Sequence, residues 1–199
     1  MFYKIPICIF NARNFSTKQK ILFAKIMWEQ QLNKDFKNNF VPFTLSYHWD
    51  VLQKLNIKIS SKTFYDFLNK LKINNWIEYY HKNGQSGSIC ISNIIMSQVF
   101  YKIFVNDIQK YGNDIALVLS YLKNNYEKNG DENFNISIKQ FSKLIGISPS
   151  KIKTILNKME ELDLIKKEKI GIKFSTNKIG HWKNKKTFTL NTEGNIIWQ

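Results

Sequence analysis

Residues 148–165, Ser-Pro-Ser-Lys-Ile-Lys-Thr-Ile-Leu-Asn-Lys-Met-Glu-Glu-Leu-Asp-Leu-Ile, predict a helix with one buried and one partner-facing side. Ser148 suits the N-cap, because its hydroxyl can accept a hydrogen bond from a first-turn amide, and Pro149 suits the first helical position. Apolar side chains recur at helical spacing, namely Ile152, Ile155, Leu156 and Met159. The other faces carry hydroxyl, amide and ammonium groups, without a carboxylate before Glu160.

These polar side chains are of the kinds that contact phosphates and base edges in DNA. The candidate DNA contacts are Ser148, Ser150, Lys151, Lys153, Thr154 and Asn157. Asn157 and, 88 residues earlier, Asn69 are the candidate base readers, since a carboxamide can pair twice with adenine, whereas the lysines would supply affinity through phosphates. The competing interpretation is an ordinary solvated helix face.

The charge of the chain favours a polyanionic partner. Its 199 residues include 30 basic and 15 acidic side chains, which give a formal net charge of +15. Nucleic acid is the first candidate and an anionic membrane surface the second, but the lysines are too dispersed to indicate membrane binding. Arg13 is the sole arginine, so bidentate reading of guanine is almost excluded.

Catalysis and metal binding have little support in the sequence. Cys8 and Cys90 are too few for a disulfide framework and lack metal-ligand spacing, which fits a reducing cytoplasm. The apolar run at residues 1–10 is too short to span a membrane, and we expect a cytoplasmic protein. The three histidines, His48, His81 and His181, are scattered, and no phosphate-binding glycine loop occurs. We therefore expect neither an enzyme nor a cofactor.

The chain contains an internal repeat in which both copies follow the order helix, short strand, helix, turn, helix, hairpin. Three matches share an offset of 88 residues: 59–60 with 147–148, 67–71 with 155–159, and 76–77 with 164–165. A fourth match, 43–46 with 134–137, has a slightly larger offset. In the first copy Lys58 stands where the second has the turn residue Gly146.

Residues 137–190 resemble a winged-helix domain, with a Gly-Ile-Ser turn, a lysine-rich recognition helix and a hairpin wing, and residues 16–92 resemble it more weakly. The opening Phe2-Tyr-Lys-Ile-Pro6, with a helix starting at Phe15-Ser-Thr17, is similar to the start of plasmid and phage replication-initiation proteins. The resemblance implies an α+β, mainly helical fold with two tandem winged helix-turn-helix domains. The implied boundaries are residues 1–96 and 113–199, with a connecting helix at 97–112.

The resemblance places further candidate contacts in the first copy and in the second wing, since the recognition helix enters the major groove by its N-terminal end. In the first copy they are Ser60, Ser61, Lys62, Tyr65 and Asn69, with Asp66 on the same face. In the wing at 175–186 they are Lys178, His181, Trp182, Lys183, Lys185 and Lys186. The wing alternatively forms a solvated hairpin in which Trp182 packs on the core.

Three functions remain open from the sequence. The first is sequence-specific binding of double-stranded DNA as a plasmid or phage replication initiator, and the second is a transcriptional regulator or a conjugation or segregation accessory protein. The third is a winged-helix protein-interaction module, with the helix at 97–112 making a homodimer. Candidate partners are accordingly double-stranded DNA, replication or transcription proteins and a second copy of the chain, and no membrane partner is expected.

Overall fold

The protein is α+β and mainly helical in the part of the chain that the structure, a computed structural model, describes. The described residues are 1–32, 41–42, 48, 52–55, 57–80, 88–92, 95, 98–129, 137–168, 170–174, 189–191 and 196–197. The chain forms two compact units, Met1–Ser120 and Tyr121–Gln199.

Unit 1 contains, in chain order, β1 (Phe2–Pro6), α1 (Ile7–Asn11), α2 (Thr17–Leu32), β2 (Val41–Pro42), α3 (Ser61–Ile73), β3 (Ile77–Tyr80), β4 (Ser88–Ile91), β5 (Phe100–Phe104), α4 (Val105–Tyr111) and the first part of α5 (Asn113–Asn129). Unit 2 contains the rest of α5, then α6 (Ile138–Ile145), α7 (Pro149–Glu161), β6 (Ile165–Glu168), β7 (Ile170–Phe174), β8 (Thr189–Asn191) and β9 (Ile196–Ile197). The division between the units falls inside α5, beyond the boundary expected before residue 113.

Strands β1 and β5 form an antiparallel ribbon that the sequence analysis did not predict. Phe2 pairs with Phe104, Lys4 lies directly opposite Lys102, and Pro6 pairs with Phe100. The helix predicted at 92–112, with its connecting segment 97–112, is therefore wrong, because 100–104 is a strand and α4 covers only Val105–Tyr111. The N-terminal run is also less extended than expected, since α1 begins at Ile7.

The ribbon packs one face into the core of unit 1. Alternate residues of a strand point to opposite faces, and Tyr3, Ile5 and Ile103 are buried. Apolar residues at 95, 99 and 103 also fit helical spacing, which explains the wrong prediction. The strand form prevails because β1 supplies a backbone partner.

Helix α2 begins and ends where the sequence predicts. The Ser16 amide donates to Gln19 Oε1 at 2.9 Å, and the Gln19 amide donates to Ser16 Oγ at 3.3 Å. This reciprocal pair satisfies two amides at the start of the helix. The helix is buried on nearly all sides, including Lys20 and Lys25, and is less amphipathic than its sequence suggests.

The predicted hairpin after α3 is confirmed, and it belongs to a sheet with strand order β2-β4-β3. Ile77 pairs with Ile91 and Tyr80 with Ser88, while Val41 of β2 pairs with Ile89. Of the strand predicted at 40–45, residues 41 and 42 are confirmed and the rest lies outside the described residues. The strand that precedes α3 thus pairs with the second strand of the hairpin.

The helices α5 and α6 are confirmed as the sequence predicts them, and α7 is confirmed from its cap at Ser148 but ends at Glu161, before residue 165. The strand predicted at 164–172 is wrong, because the chain reverses between Glu168 and Gly171 and forms the hairpin β6-β7. The sheet continues in the order β6-β7-β8-β9. In the sequence, the segment predicted as the wing, 175–186, falls after β7 and before β8, and it lies outside the described residues.

Candidate nucleic-acid interface

Helix α6 supports α7 and is closed at its start by a capping box. The Ser137 amide donates to Gln140 Oε1 at 2.9 Å, and the Gln140 amide donates to Ser137 Oγ at 3.2 Å. Phe141, Ser142 and Ile145 point into the core of unit 2, where the Phe141 ring meets Tyr121 edge to face at 5.2 Å. The helix is therefore fixed both at its cap and along its buried face.

The turn from α6 to α7 is held by Ser142 and by a left-handed glycine. Gly146 has φ 66° and ψ 34°, a conformation that a residue with a Cβ adopts only at a cost. The Ile147 amide donates to the Ser142 carbonyl at 3.2 Å, and the Ser142 hydroxyl donates to the Ile147 carbonyl at 2.5 Å. Two hydrogen bonds across five residues define the angle at which α7 leaves the turn.

Helix α7 begins with the cap predicted from its sequence. Ser148 Oγ accepts a hydrogen bond from the Lys151 amide at 3.4 Å, and Pro149 occupies the first helical position. The predicted apolar stripe is buried, with Ile152, Ile155, Leu156 and Met159 at most 4% exposed. Packing of this stripe turns the opposite face toward solvent.

The exposed face of α7 contains the residues predicted to contact DNA. The exposed polar side chains are Ser148, Ser150, Lys151, Lys153, Thr154, Asn157 and Lys158. Thr154 Oγ1 donates to the Ser150 carbonyl at 3.2 Å, which uses its one donor and leaves the oxygen able to accept a hydrogen bond. The first carboxylates, Glu160 and Glu161, lie in the last turn. The face is cationic toward the N-terminus of α7.

Helix α3 of unit 1 ends in the same way as α7, 88 residues earlier. Asn75 has φ 55° and Asp163 has φ 53°, and these are the described non-glycine residues with positive φ. In each case the next amide donates to the carbonyl five residues back: Trp76 to Leu71 at 2.9 Å and Leu164 to Met159 at 2.8 Å. The repeat read from the sequence thus has matching backbone geometry at these two helix ends.

The turns that precede the two helices differ in length. The Ile57 amide donates to the Leu52 carbonyl at 2.7 Å, as the Ile147 amide does to Ser142. Two residues separate Ile57 from the cap Ser60, whereas Ile147 is followed at once by Ser148. Lys58 is therefore not the counterpart of Gly146, and the prediction that it takes the place of the turn glycine is wrong.

The candidate contacts of α3 are exposed, but their charge differs from those of α7. Exposed are Ser60, Ser61, Lys62, Tyr65, Asp66 and Asn69. Ser60 Oγ accepts from the Thr63 amide at 3.2 Å and caps the helix. Lys70 Nζ donates to the Asn14 carbonyl at 3.1 Å, within unit 1. The face of α3 consequently combines an aromatic and an acidic side chain where α7 has Lys153 and Thr154.

The predicted wing contacts lie outside the described residues. These are Lys178, His181, Trp182, Lys183, Lys185 and Lys186. Their contribution to DNA binding stays a prediction.

A buried ionic cluster in unit 1 was not predicted. Lys25 Nζ lies 2.6 Å from Glu29 Oε1 and 2.5 Å from His48 Nδ1, and His48 is fully buried. Burial lowers the pKa of Lys25 and raises that of Glu29, although their mutual attraction opposes both shifts. The cluster ties α2 to His48 and has the character of a structural anchor.

The outer face of the β1–β5 ribbon was also missed. Its side chains include Lys4 and Lys102, each over a phenyl ring of the opposite strand. The missed signal is the tetrapeptide Phe-Tyr-Lys-Ile, which occurs at 2–5 and again at 100–103.

Among the described residues, no group of three or more His, Cys, Asp or Glu side chains is placed to hold a metal ion. In the same part of the chain, every helix is too short or too polar to cross a lipid bilayer. Comparison with family models found no match, and comparison with curated proteins and with solved structures found no significant match either.

Proposed function

We propose that the chain binds double-stranded DNA with two winged-helix domains and acts as a plasmid or phage replication initiator that recognises an origin. The observation that carries the proposal is the exposed face of α7, where lysines, hydroxyls and one amide are held on a helix capped at both ends. A helix presented by a tight turn from a preceding helix is the arrangement that enters the major groove.

The element order of each unit supports the winged-helix interpretation. In unit 2 a helix, a turn and a second helix are followed by the antiparallel hairpin β6-β7, and in unit 1 helix α3 is followed by the antiparallel hairpin β3-β4. The pairing of β2 with β4 in unit 1 joins the strand before α3 to this hairpin. The net charge of +15 supplies the long-range attraction to phosphates.

The target on this proposal is a duplex with adenines at the positions that face Asn157. An amide can donate and accept at adenine N6 and N7, whereas the single arginine leaves few means of reading guanine. Transcriptional regulation and an accessory role in conjugation or segregation use the same chemistry. The position of the bound site distinguishes these functions. A replication initiator binds direct repeats in an origin, whereas a transcriptional regulator binds a site that overlaps a promoter.

The test is selection of bound fragments from random and native duplex DNA, followed by footprinting and a salt titration. We expect a protected site and a binding constant that falls steeply with salt, by a log–log slope of about 0.9 per phosphate contact. Absence of duplex binding at low salt, or binding that salt leaves unchanged, would overturn the proposal. The length of the footprint distinguishes one reading helix from two.

A second candidate function applies to unit 1 alone. Tyr65 is 45% exposed and Ile73 80% exposed on α3, and Asp66 carries a negative charge on the same helix. Such a face suits a protein partner better than a phosphate backbone. If α3 binds a protein and not DNA, Tyr65→Ala leaves the DNA footprint unchanged. A footprint shortened by Tyr65→Ala would assign α3 to DNA.

A further inference from the structure

The β1–β5 ribbon has an approximate local twofold symmetry, because both strands carry Phe-Tyr-Lys-Ile and pair in opposite directions. Phe2 lies opposite Phe104, Lys4 opposite Lys102, and Pro6 opposite Phe100. If the two copies of the tetrapeptide are exchanged, the Phe2–Phe104 pair takes the place of the Pro6–Phe100 pair, and the Lys4–Lys102 pair stays in place at the local twofold axis. The outer face of the ribbon is defined by Phe2, Lys4, Phe100, Lys102 and Phe104.

This outer face is accessible and combines rings with ammonium groups. Phe2 is 37% exposed, and the other four side chains of the outer face are half-buried. Lys4 Nζ lies 4.6 Å from the centroid of the Phe100 ring, and Lys102 Nζ lies 5.7 Å from that of Phe2. The cation–π contacts hold both lysines along the surface of the sheet.

The two ammonium groups lie on the same face but toward different ends of the ribbon. Lys4 Nζ lies over the Phe100 ring, in the pair on one side of Lys4–Lys102, and Lys102 Nζ lies over the Phe2 ring, in the pair on the other side. Successive phosphates of a strand that runs along the ribbon can therefore contact one lysine each.

We infer that the outer face of the β1–β5 ribbon binds single-stranded DNA. A phosphate alone would need the lysines but not the rings, and a duplex keeps the flat faces of its bases stacked inside. Unpaired bases expose those faces and stack on aromatic side chains beside a cationic track. Phe2 and Phe104, with ring centroids 6.1 Å apart, are the stacking platform, and Lys4 and Lys102 contact the backbone. The surface and the ligand are distinct from those proposed for α7.

The test uses the full chain and fluorescence anisotropy of a labelled oligo(dT), which cannot form a duplex. Lys4→Gln/Lys102→Gln keeps the alkyl stems on the sheet and should make the log–log salt slope shallower by roughly 1.4, since single strands give about 0.7 per phosphate contact. Phe2→Leu keeps an apolar side chain but removes the ring, and it should weaken oligo(dT) binding about tenfold.

The matched control is Lys54→Gln/Lys128→Gln, which removes two exposed lysines from other surfaces. It should leave the oligo(dT) salt slope unchanged. Thermal melting confirms that each variant is folded. No oligo(dT) binding by the wild type, or equal effects of the ribbon and control variants, would overturn the inference. Binding of poly-glutamate in place of oligo(dT) would do so too, by assigning the face to acidic proteins.

Discussion

Two exposed side chains of α7, Asn157 and Lys153, lead to different expectations for binding. Asn157→Ala should cost roughly 1–3 kcal/mol on the preferred duplex and little on random sequence, because an amide that pairs with adenine contributes only at its own base. Lys153→Ala should weaken binding to all duplexes and make the salt slope shallower by about 0.9. Both quantities come from titrations of one preferred and one random duplex at several salt concentrations.

The control for these two variants is Lys128→Ala, which removes an exposed lysine from the end of α5. It should change neither the preference nor the slope. If Asn157→Ala weakens random and preferred duplexes equally, the residue is not a base reader.

Lys20 leads to an expectation about pH. Its side chain is fully buried, with Nζ donating to the Phe10 carbonyl at 2.6 Å, and burial lowers its pKa to about 8. The unfolded chain, with an ordinary lysine pKa near 10.5, binds more protons between these values, so the free energy of unfolding rises with pH there. The slope is at most about 1.4 kcal/mol per pH unit.

Lys20→Met removes the titrating group and keeps its length. Denaturant unfolding from pH 7 to 10.5 should show the wild type gaining about 3 kcal/mol relative to the variant at most. Lys18→Met, at a more exposed position of the same helix, should follow the wild type. Parallel curves for wild type and Lys20→Met would contradict the lowered pKa.

The structural role of a single residue could be predicted from the sequence where its contact partners are near in the chain. The caps Ser16 and Ser148 and the stripe of α7 follow from spacing alone, because each bond or contact lies within one or two turns. The burial of Lys20 and His48 could not be read in this way. It depends on a carbonyl ten residues away in one case and on Lys25, 23 residues away, in the other.

At the scale of elements, the left-handed residue in the turn between α6 and α7 can be compared with the left-handed residue that follows α3. Gly146→Ala places a Cβ at φ 66° and should destabilise the protein by about 1–2 kcal/mol. Asn75→Gly removes an exposed side chain at φ 55°, where glycine has no strain, and should be neutral or stabilising. Denaturant unfolding of both variants measures the difference, and a loss for Asn75→Gly as large as that for Gly146→Ala would contradict it.

Helices were predicted better than strands for a physical reason. The periodicity of a helix is local, but the identity of a strand depends on what it pairs with. Residues 100–104 fit both patterns in sequence, and β1, almost a hundred residues earlier, decides between them. The reversal between β6 and β7 was missed because residues 166–169, Lys-Lys-Glu-Lys, include none of the glycine, proline or asparagine residues that usually mark a turn. The repeated tetrapeptide was the available signal for the ribbon.

At the scale of the whole molecule, the two units differ in their dependence on the N-terminal strand. Deletion of Met1–Pro6 removes the backbone partner of β5 and exposes apolar side chains of unit 1. Hydrogen exchange should show lost protection in β5 and α2, with α6 and α7 keeping theirs. Ile5→Ala, at a fully buried position, should give the same pattern at a cost of about 2–5 kcal/mol.

The corresponding variant in unit 2 is Ile152→Ala, which truncates a fully buried side chain of α7. It should lower protection in α6 and α7 and spare β5. If deletion of β1 lowers protection in α7 as much as in β5, the two units unfold as one cooperative body.

The matching strands of the ribbon also bear on how its pairing responds to dilution. If two separate chains met through the same tetrapeptide, the fraction paired would fall as the protein was diluted. Here the two copies belong to one chain, so the covalent connection holds them at an effective concentration that does not depend on how much protein is present. The pairing of β1 with β5 therefore does not depend on protein concentration.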